Sequence, residues 1–112
     1  MGHYETTSKE VFAFLGALQK VSPEVGKGFM DLHKAATTGG ALGTKHKELI
    51  AVALSVTAHC EGCLSVHMKS ALDAGASREE VMDAIGVAIL MGGGPALYAA
   101  KLAHDVLNEY TG

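Results

Sequence analysis

The sequence has few aromatic residues, which limits the kinds of core it can build. Tryptophan is absent and aromatic residues make up only 5% of the 112 residues, although 48% of the chain is apolar. Alanine, leucine, valine and methionine supply most of that apolar content, and they suit closely packed helices better than aromatic-rich strands. A chain of this length is expected to form one domain with a single hydrophobic core.

Three further absences narrow the function classes. The net charge is only −3 and no run of like charge occurs, so a nucleic-acid-binding surface is not predicted. Two cysteines are too few for a disulfide-stapled secreted scaffold. The most apolar stretches, 49–58 and 84–91, are too short to span a bilayer, and no secretory apolar segment follows Met1. The sequence therefore predicts a cytoplasmic protein without a membrane or nucleic-acid partner.

Capping patterns and glycines divide the chain into six predicted helices. Thr7 and Glu10 form a capping-box pattern at the start of the first, and Ser22 with Pro23 opens the second. The second helix is predicted to stop at Gly39-Gly40, and Thr44 is predicted to cap the third, which runs towards Ala58. The later helices are predicted to start near Cys60, at the Ser77–Glu80 capping box and at Pro95, and to stop at Gly75, at Gly92-Gly93-Gly94 and near Tyr110. No strand pattern or linker interrupts this order, so residues 1–112 are predicted to form a single all-α domain.

The most informative segment holds Cys60 and Cys63 at the predicted start of the fourth helix. Two cysteines at this spacing can close a disulfide ring, and the exposed N–H groups of a helix start favour a thiolate. His67 follows Cys63 by four residues, so on a helix it lies one turn away on nearly the same face. Its imidazole can take the thiol proton or pair with the thiolate. This combination favours a dithiol redox site.

Other interpretations of the cysteines stay open. Zinc could be bound by Cys60, Cys63 and His67 with His59 nearby, although the chain has no second cysteine or histidine pair at the usual spacing. The cysteines could instead be structural, as small apolar side chains in a non-enzymatic helical oligomer. A thioredoxin-type site is not predicted, because no strand precedes Cys60. No role is assigned to His33, His46 and His104, because none of them lies at a spacing from another residue that suggests a shared site.

Together with Glu48, these residues resemble a known family. The order Glu48, Cys60, Cys63 and His67 is similar to the Glu…Cys-x-x-Cys…His signature of AhpD-like proteins, in the carboxymuconolactone decarboxylase superfamily. The likeness covers about residues 42–91. It implies an all-helical fold that assembles into trimers or hexamers, and a disulfide-cycling site that reduces hydroperoxides or a partner disulfide. In that scheme Glu48 and His67 relay the proton of the cysteine pair.

The resemblance thus implies a thiol-dependent antioxidant enzyme whose catalytic residues are Glu48, Cys60, Cys63 and His67, with no cofactor and no metal ion. The partners it implies are a small hydroperoxide, a thiol or lipoyl-type reductant protein, and further copies of the chain. A lactone decarboxylase of the same superfamily is the alternative, but those enzymes generally lack the cysteine pair. Either cysteine could be the nucleophile. The helix start favours Cys60, whereas the histidine spacing favours Cys63, which we prefer.

Composition independently predicts association of the chain with itself. With 48% apolar residues and few charges, the helices present more apolar surface than one small core can cover. The candidate contacts are the strip formed by Val81, Ile85 and Ile89, and the face that carries Phe12 and Leu15. Neither can be preferred from the sequence.

Overall fold

In the computed structural model, which describes residues 2–112, the chain forms five α-helices and no β-strand. These are α1 (His3–Val21), α2 (Pro23–Thr37), α3 (Thr44–Thr57), α4 (Glu61–Asp73) and α5 (Arg78–Thr111). The all-α prediction is confirmed. The count differs from six because the fifth and sixth predicted helices run together as α5.

The long helix α5 consists of two helical segments joined at a kink. Gly93 has φ 69° and ψ −151°, a backbone conformation open to glycine but strained for other residues. Pro95 follows closely and lacks the N–H that a continuous helix needs. The break predicted at Gly92-Gly93-Gly94 is therefore present, and the second segment of α5 is the sixth predicted helix.

The hydrophobic core lies where α3, α4 and α5 meet. α3 packs against both α4 and α5, whereas α1 and α2 pack on each other and reach the core mainly through α4 and α3. The largest fully buried side chains come from these three central helices and include Val52, Val56, Leu64, Met68, Ile85 and Leu107. Buried alanines on the second segment of α5 allow the helices to approach closely: Ala96, Ala99, Ala100 and Ala103.

α1 begins earlier than its sequence pattern predicts. Its first residue is His3, and the Thr7 hydroxyl donates to the His3 carbonyl at 3.0 Å inside the helix. The carboxylate of Glu109, near the end of α5, accepts hydrogen bonds from the N–H groups of Tyr4 and Glu5 at 3.1 and 2.9 Å. These are donors that a helix start leaves unsatisfied. The capping box predicted at Thr7 is therefore wrong, because the cap comes from the other end of the chain.

The other helix starts lie close to their predicted places. At α5 the Ser77 hydroxyl accepts from the Glu80 N–H at 3.1 Å, and the Glu80 carboxylate accepts from the Ser77 N–H at 2.9 Å, which confirms that capping box. α3 begins one residue from the prediction, because Gly43 is its N-cap and Thr44 is its first helical residue.

One of the two predicted association surfaces belongs to the core. Val81 and Ile85 are only 0% and 2% exposed, so they pack inside the domain and are not free to contact another copy. The prediction that this strip forms a contact is wrong, because the sequence pattern does not show which face of α5 turns inward. The outer surface of α5 carries exposed large apolar side chains: Met82, Val87, Leu90 and Met91. Phe12, on the other predicted face, is exposed.

By length and composition alone, α5 is the one helix of residues 2–112 that could cross a membrane. The sequence predicts apolar stretches that are too short to span a bilayer. The structure differs, because helical structure continues past Gly92-Gly93-Gly94 and joins two apolar stretches. The same helix supplies Val106 and Leu107 to the core and packs against α3, while only 22% of its most apolar 18-residue window is buried. The cytoplasmic location stays a prediction.

Candidate thiol site

Cys60 and Cys63 lie at the start of α4 as predicted. His59, with φ 54°, turns the chain after α3, and the Cys60 N–H donates to the Ser55 carbonyl at 3.1 Å. Cys60 is the N-cap of α4, and its sulfur accepts a hydrogen bond from the Cys63 N–H at 3.1 Å. The two sulfurs are joined in a disulfide, with Cα atoms 5.2 Å apart. As whole residues, Cys63 is exposed and Cys60 is half-buried.

His67 and Glu48 meet between α4 and α3. Nδ1 of His67 and Oε1 of Glu48 are 2.7 Å apart, and the side chains are 20% and 4% exposed. A carboxylate can only accept, so this contact favours the tautomer with hydrogen on Nδ1 and leaves Nε2 with a free lone pair. A buried carboxylate needs such a partner, because burial of an unpaired charge is costly. The pair therefore presents an oriented histidine base.

An apolar cavity of about 350 Å³ connects the cysteines with His67. α4 contributes Cys60, Cys63 and His67 to its wall, and Glu48 lies behind His67. The other lining residues come mainly from α1 and α2 and are mostly apolar: Val11, Phe12, Phe14, Leu15, Leu18, Phe29 and Met30. The cavity therefore gives a molecule with an apolar body direct access to the sulfur atoms and the histidine.

A second histidine lines the cavity and was missed by sequence reasoning. His33, on α2, stacks on His67 with ring centroids 5.6 Å apart and ring planes 28° apart. Phe29 lies one turn before it on the same face, with ring centroids 6.3 Å apart. That helical spacing is visible in the sequence, but nothing local indicates that this face meets α4.

The family of the chain follows from its match to known proteins. Residues 23–105 match the model of the Carboxymuconolactone decarboxylase family. The chain belongs to this family. Its fold is that of a carboxymuconolactone decarboxylase family protein from Legionella pneumophila, solved as a crystal structure in the apo form. The two are 38% identical with a TM-score of 0.92, and the match covers 97% of each chain.

Two further bacterial proteins are similar to this chain in sequence. An uncharacterised protein from Cupriavidus necator is 42% identical over 107 residues, which cover 93% of this chain and 95% of that protein. An uncharacterised protein of the cox locus of Paracoccus denitrificans is 37% identical over 100 residues, covering 89% and 90%. The carboxymuconolactone decarboxylase family includes decarboxylases and peroxidase-like enzymes, so membership confirms the resemblance without deciding the reaction.

Among residues 2–112, no group of three or more histidine, cysteine, aspartate or glutamate side chains is arranged to hold a metal ion. The sulfurs of Cys60 and Cys63 are bonded to each other, and Nδ1 of His67 faces Glu48 rather than the cysteines. His59 is exposed at the turn before α4. With the two sulfurs joined, this state of the chain offers no thiolate ligand to a metal ion.

Proposed function

We propose that this carboxymuconolactone decarboxylase family member is a thiol-dependent antioxidant enzyme of AhpD type. It reduces hydroperoxides or partner disulfides by cycling Cys60 and Cys63 between dithiol and disulfide. The observation that carries the proposal is the Glu48–His67 pair, 2.7 Å apart, beside a cysteine pair that lines the same cavity as His67. The lactone decarboxylases of the superfamily generally lack a cysteine pair of this kind.

The first step is activation of a thiol. In the reduced protein, Nε2 of His67 takes the proton of Cys63, which leaves a thiolate and an imidazolium. The Glu48 carboxylate stabilises that imidazolium through Nδ1, and the N–H groups at the start of α4 stabilise the thiolate. The greater exposure of Cys63 and its place one turn from His67 support its role as nucleophile.

The second step is reduction of the hydroperoxide. The Cys63 thiolate attacks the distal oxygen, the O–O bond breaks, and the leaving alkoxide takes the proton from His67 as an alcohol. Cys63 is then a sulfenic acid. The Cys60 thiol attacks its sulfur, the disulfide forms and water leaves. Two thiols and one hydroperoxide thus become one disulfide, one alcohol and one water. A thiol or lipoyl-type reductant protein restores the dithiol.

The environment of the site supports this chemistry. The apolar wall from α1 and α2 fits the hydrocarbon part of a small organic hydroperoxide, and the cysteine and histidine side chains are its polar end. The cycle needs no cofactor or metal ion. A reducing compartment such as the cytoplasm would keep the cysteine pair as a dithiol between turnovers.

A peroxide-consumption assay tests the proposal. Reduced protein should consume organic hydroperoxide in the presence of a dithiol reductant, and Cys63→Ser and Cys60→Ser should each abolish turnover. Mass spectrometry after one equivalent of peroxide should show the loss of two hydrogens within one chain. Oxidation only to an intermolecular dimer, or full turnover by the Cys60→Ser variant, would contradict the proposed cycle.

A further inference from the structure

A second imidazole lies against His67 and takes no part in the cycle described above. His33 stacks on His67 and lines the same cavity, and its Nε2 is buried without a hydrogen-bond partner among residues 2–112. An unpartnered buried polar atom costs free energy, so its presence in a folded protein calls for an explanation. A phenylalanine would fill the same place without that cost. Packing alone therefore does not account for a histidine here.

The orientation of the two rings limits what His33 can do. The ring planes are 28° apart and the rings lie face to face, so a ring N–H of one does not point at a ring nitrogen of the other. Direct proton transfer between His33 and His67 is therefore not favoured. A face-to-face contact instead suits the interaction of a charge on one ring with the π face and dipole of the other.

We propose that His33 is a positioning residue that stabilises the cationic form of His67, and through it the Cys63 thiolate. The inference rests on the proposed function. In the step concerned, the S–H bond of Cys63 breaks and the proton moves to Nε2 of His67, while His33 stays neutral. The neutral imidazole offers its π face to the new positive charge. A proton on His33 would instead place two like charges against each other.

The charged groups around His33 are compatible with this role. Glu48, on α3, contacts the far side of His67, and α4 contributes His67 and the two cysteines. The side chains that α1 contributes to the cavity are all apolar. On α2 itself, Asp31 and Lys34 line a different pocket. Among the groups that line the cavity with His33, the two cysteines and His67 with its Glu48 partner are therefore the ones that can carry charge.

The test compares His33→Ala and His33→Phe, each alone and in a His67→Ala background. The readouts are the rate of thiol alkylation in the reduced protein as a function of pH, and the denaturant midpoint. His33→Ala, which removes the ring face, should alkylate about three- to tenfold more slowly at neutral pH, with the profile moved to higher pH, whereas His33→Phe keeps an aromatic face and should stay closer to wild type. His33→Phe should unfold at the same or a higher denaturant concentration. His46→Phe makes the same chemical change at an exposed site on α3 and should behave like wild type.

Two results would overturn the inference while leaving the proposed function intact. One is a His33→Ala profile that superimposes on that of the wild type. The other is an equally large effect of the His33 substitutions when His67 is already alanine, since His33 would then not act through His67. If His67→Ala by itself leaves alkylation unchanged, the base in the proposed function is wrong as well.

Discussion

At the scale of single residues, the site depends on one buried carboxylate that holds one histidine. Glu48 is only 3% exposed and contacts Nδ1 of His67, and the proposed cycle assigns the other nitrogen of this histidine to the thiol. This is the arrangement by which a buried acid fixes the tautomer and the direction of an imidazole base.

His67→Ala should make the reactive thiol harder to ionise, because the substitution removes the nearest proton acceptor and the positive charge it carries. The pH dependence of alkylation should move to higher pH, and the rate at neutral pH should fall on the order of 10²-fold. His46→Ala is the matched control, because it removes an exposed histidine of α3 away from the cavity. An unchanged profile in His67→Ala would exclude this histidine from thiol activation.

Glu48→Gln should keep the shape of the site and lose its charge. A glutamine can still accept from Nδ1 of His67, but it cannot offset the charge of an imidazolium, so peroxide turnover should fall at least about tenfold. Glu79→Gln removes an exposed carboxylate from the first turn of α5 and serves as control. The measurement is the steady-state rate of peroxide turnover by each variant. Equal turnover in Glu48→Gln and wild type would mean that the carboxylate charge has no part in the cycle.

At the scale of helices, the two ends of the chain stabilise each other. Glu109, on α5, caps α1, and α1 forms much of the cavity wall. Gly2 contributes to this arrangement, because a side chain there would collide with the Glu109 carboxylate. Loss of the cap should therefore loosen the cavity as well as α1.

Glu109→Ala should lower the free energy of unfolding by about 1 kcal/mol, the usual value of a helix cap. It should also speed amide hydrogen exchange in the first turn of α1. Glu10→Ala is the informative control, because the sequence pattern assigns Glu10 to a capping box that the structure does not contain. Urea unfolding compares the two. A larger loss for Glu10→Ala than for Glu109→Ala would contradict the cap seen in the structure.

The end of α5 is also held to α4, by a tyrosine whose ionisation is suppressed. The Tyr110 hydroxyl donates to the Ser65 carbonyl at 2.7 Å. Burial, followed by the nearby carboxylates of Glu109 and Glu5, raises the pKa of Tyr110 to about 12. In the unfolded chain that pKa is about 10, so the unfolded state releases its proton first as the pH rises. The stability that this group contributes is fully present below about pH 10 and is lost towards about pH 12.

Tyr110→Phe should unfold about 1 kcal/mol more easily at neutral pH, because one hydrogen bond to α4 is lost. The variant should also lose less stability than wild type between about pH 10 and pH 12, since it has no phenol to ionise. Urea unfolding across that pH range measures the difference between the two proteins. Tyr98→Phe, at an exposed tyrosine of the same helix, is the control. Identical alkaline curves for wild type and Tyr110→Phe would exclude the contribution of Tyr110.

At the scale of the whole molecule, a single copy leaves much apolar surface uncovered. Leu90, Met91 and Tyr98 are 79%, 77% and 80% exposed on α5, and Phe14 is 67% exposed on α1. Exposed apolar surface of this extent is typical of association sites. We propose that the chain forms a homo-oligomer, with a trimer or hexamer as the form implied by the family, and that the exposed face of α5 takes part in the contact.

Light scattering at micromolar concentration should therefore give a mass above that of one 11.6 kDa chain. Leu90→Lys should shift the population to smaller species, because a charge would have to be buried at the contact. His46→Lys introduces the same side chain at an exposed polar position of a different helix, α3, and should leave the mass unchanged. A stable monomer in the wild-type protein would contradict the proposal.

The sequence by itself determined what depends on neighbours along the chain. The helical class, the Ser77–Glu80 cap, the break at Gly93 and the order of Cys60, Cys63 and His67 at the start of one helix follow from local hydrogen bonds and backbone preferences. Glu48 was added by resemblance to a family, because nothing in its own helix distinguishes it from a solvated glutamate.

Only the tertiary structure decided which distant side chains meet. The contact of Glu48 with His67, the stacking of His33, the Glu109 cap and the burial of Val81 and Ile85 all join separate helices, or the two ends of the chain. These contacts depend on the rotation of each helix about its axis and on the angle at which helices cross. Both are set by the packing of many side chains together, so no local pattern contains them.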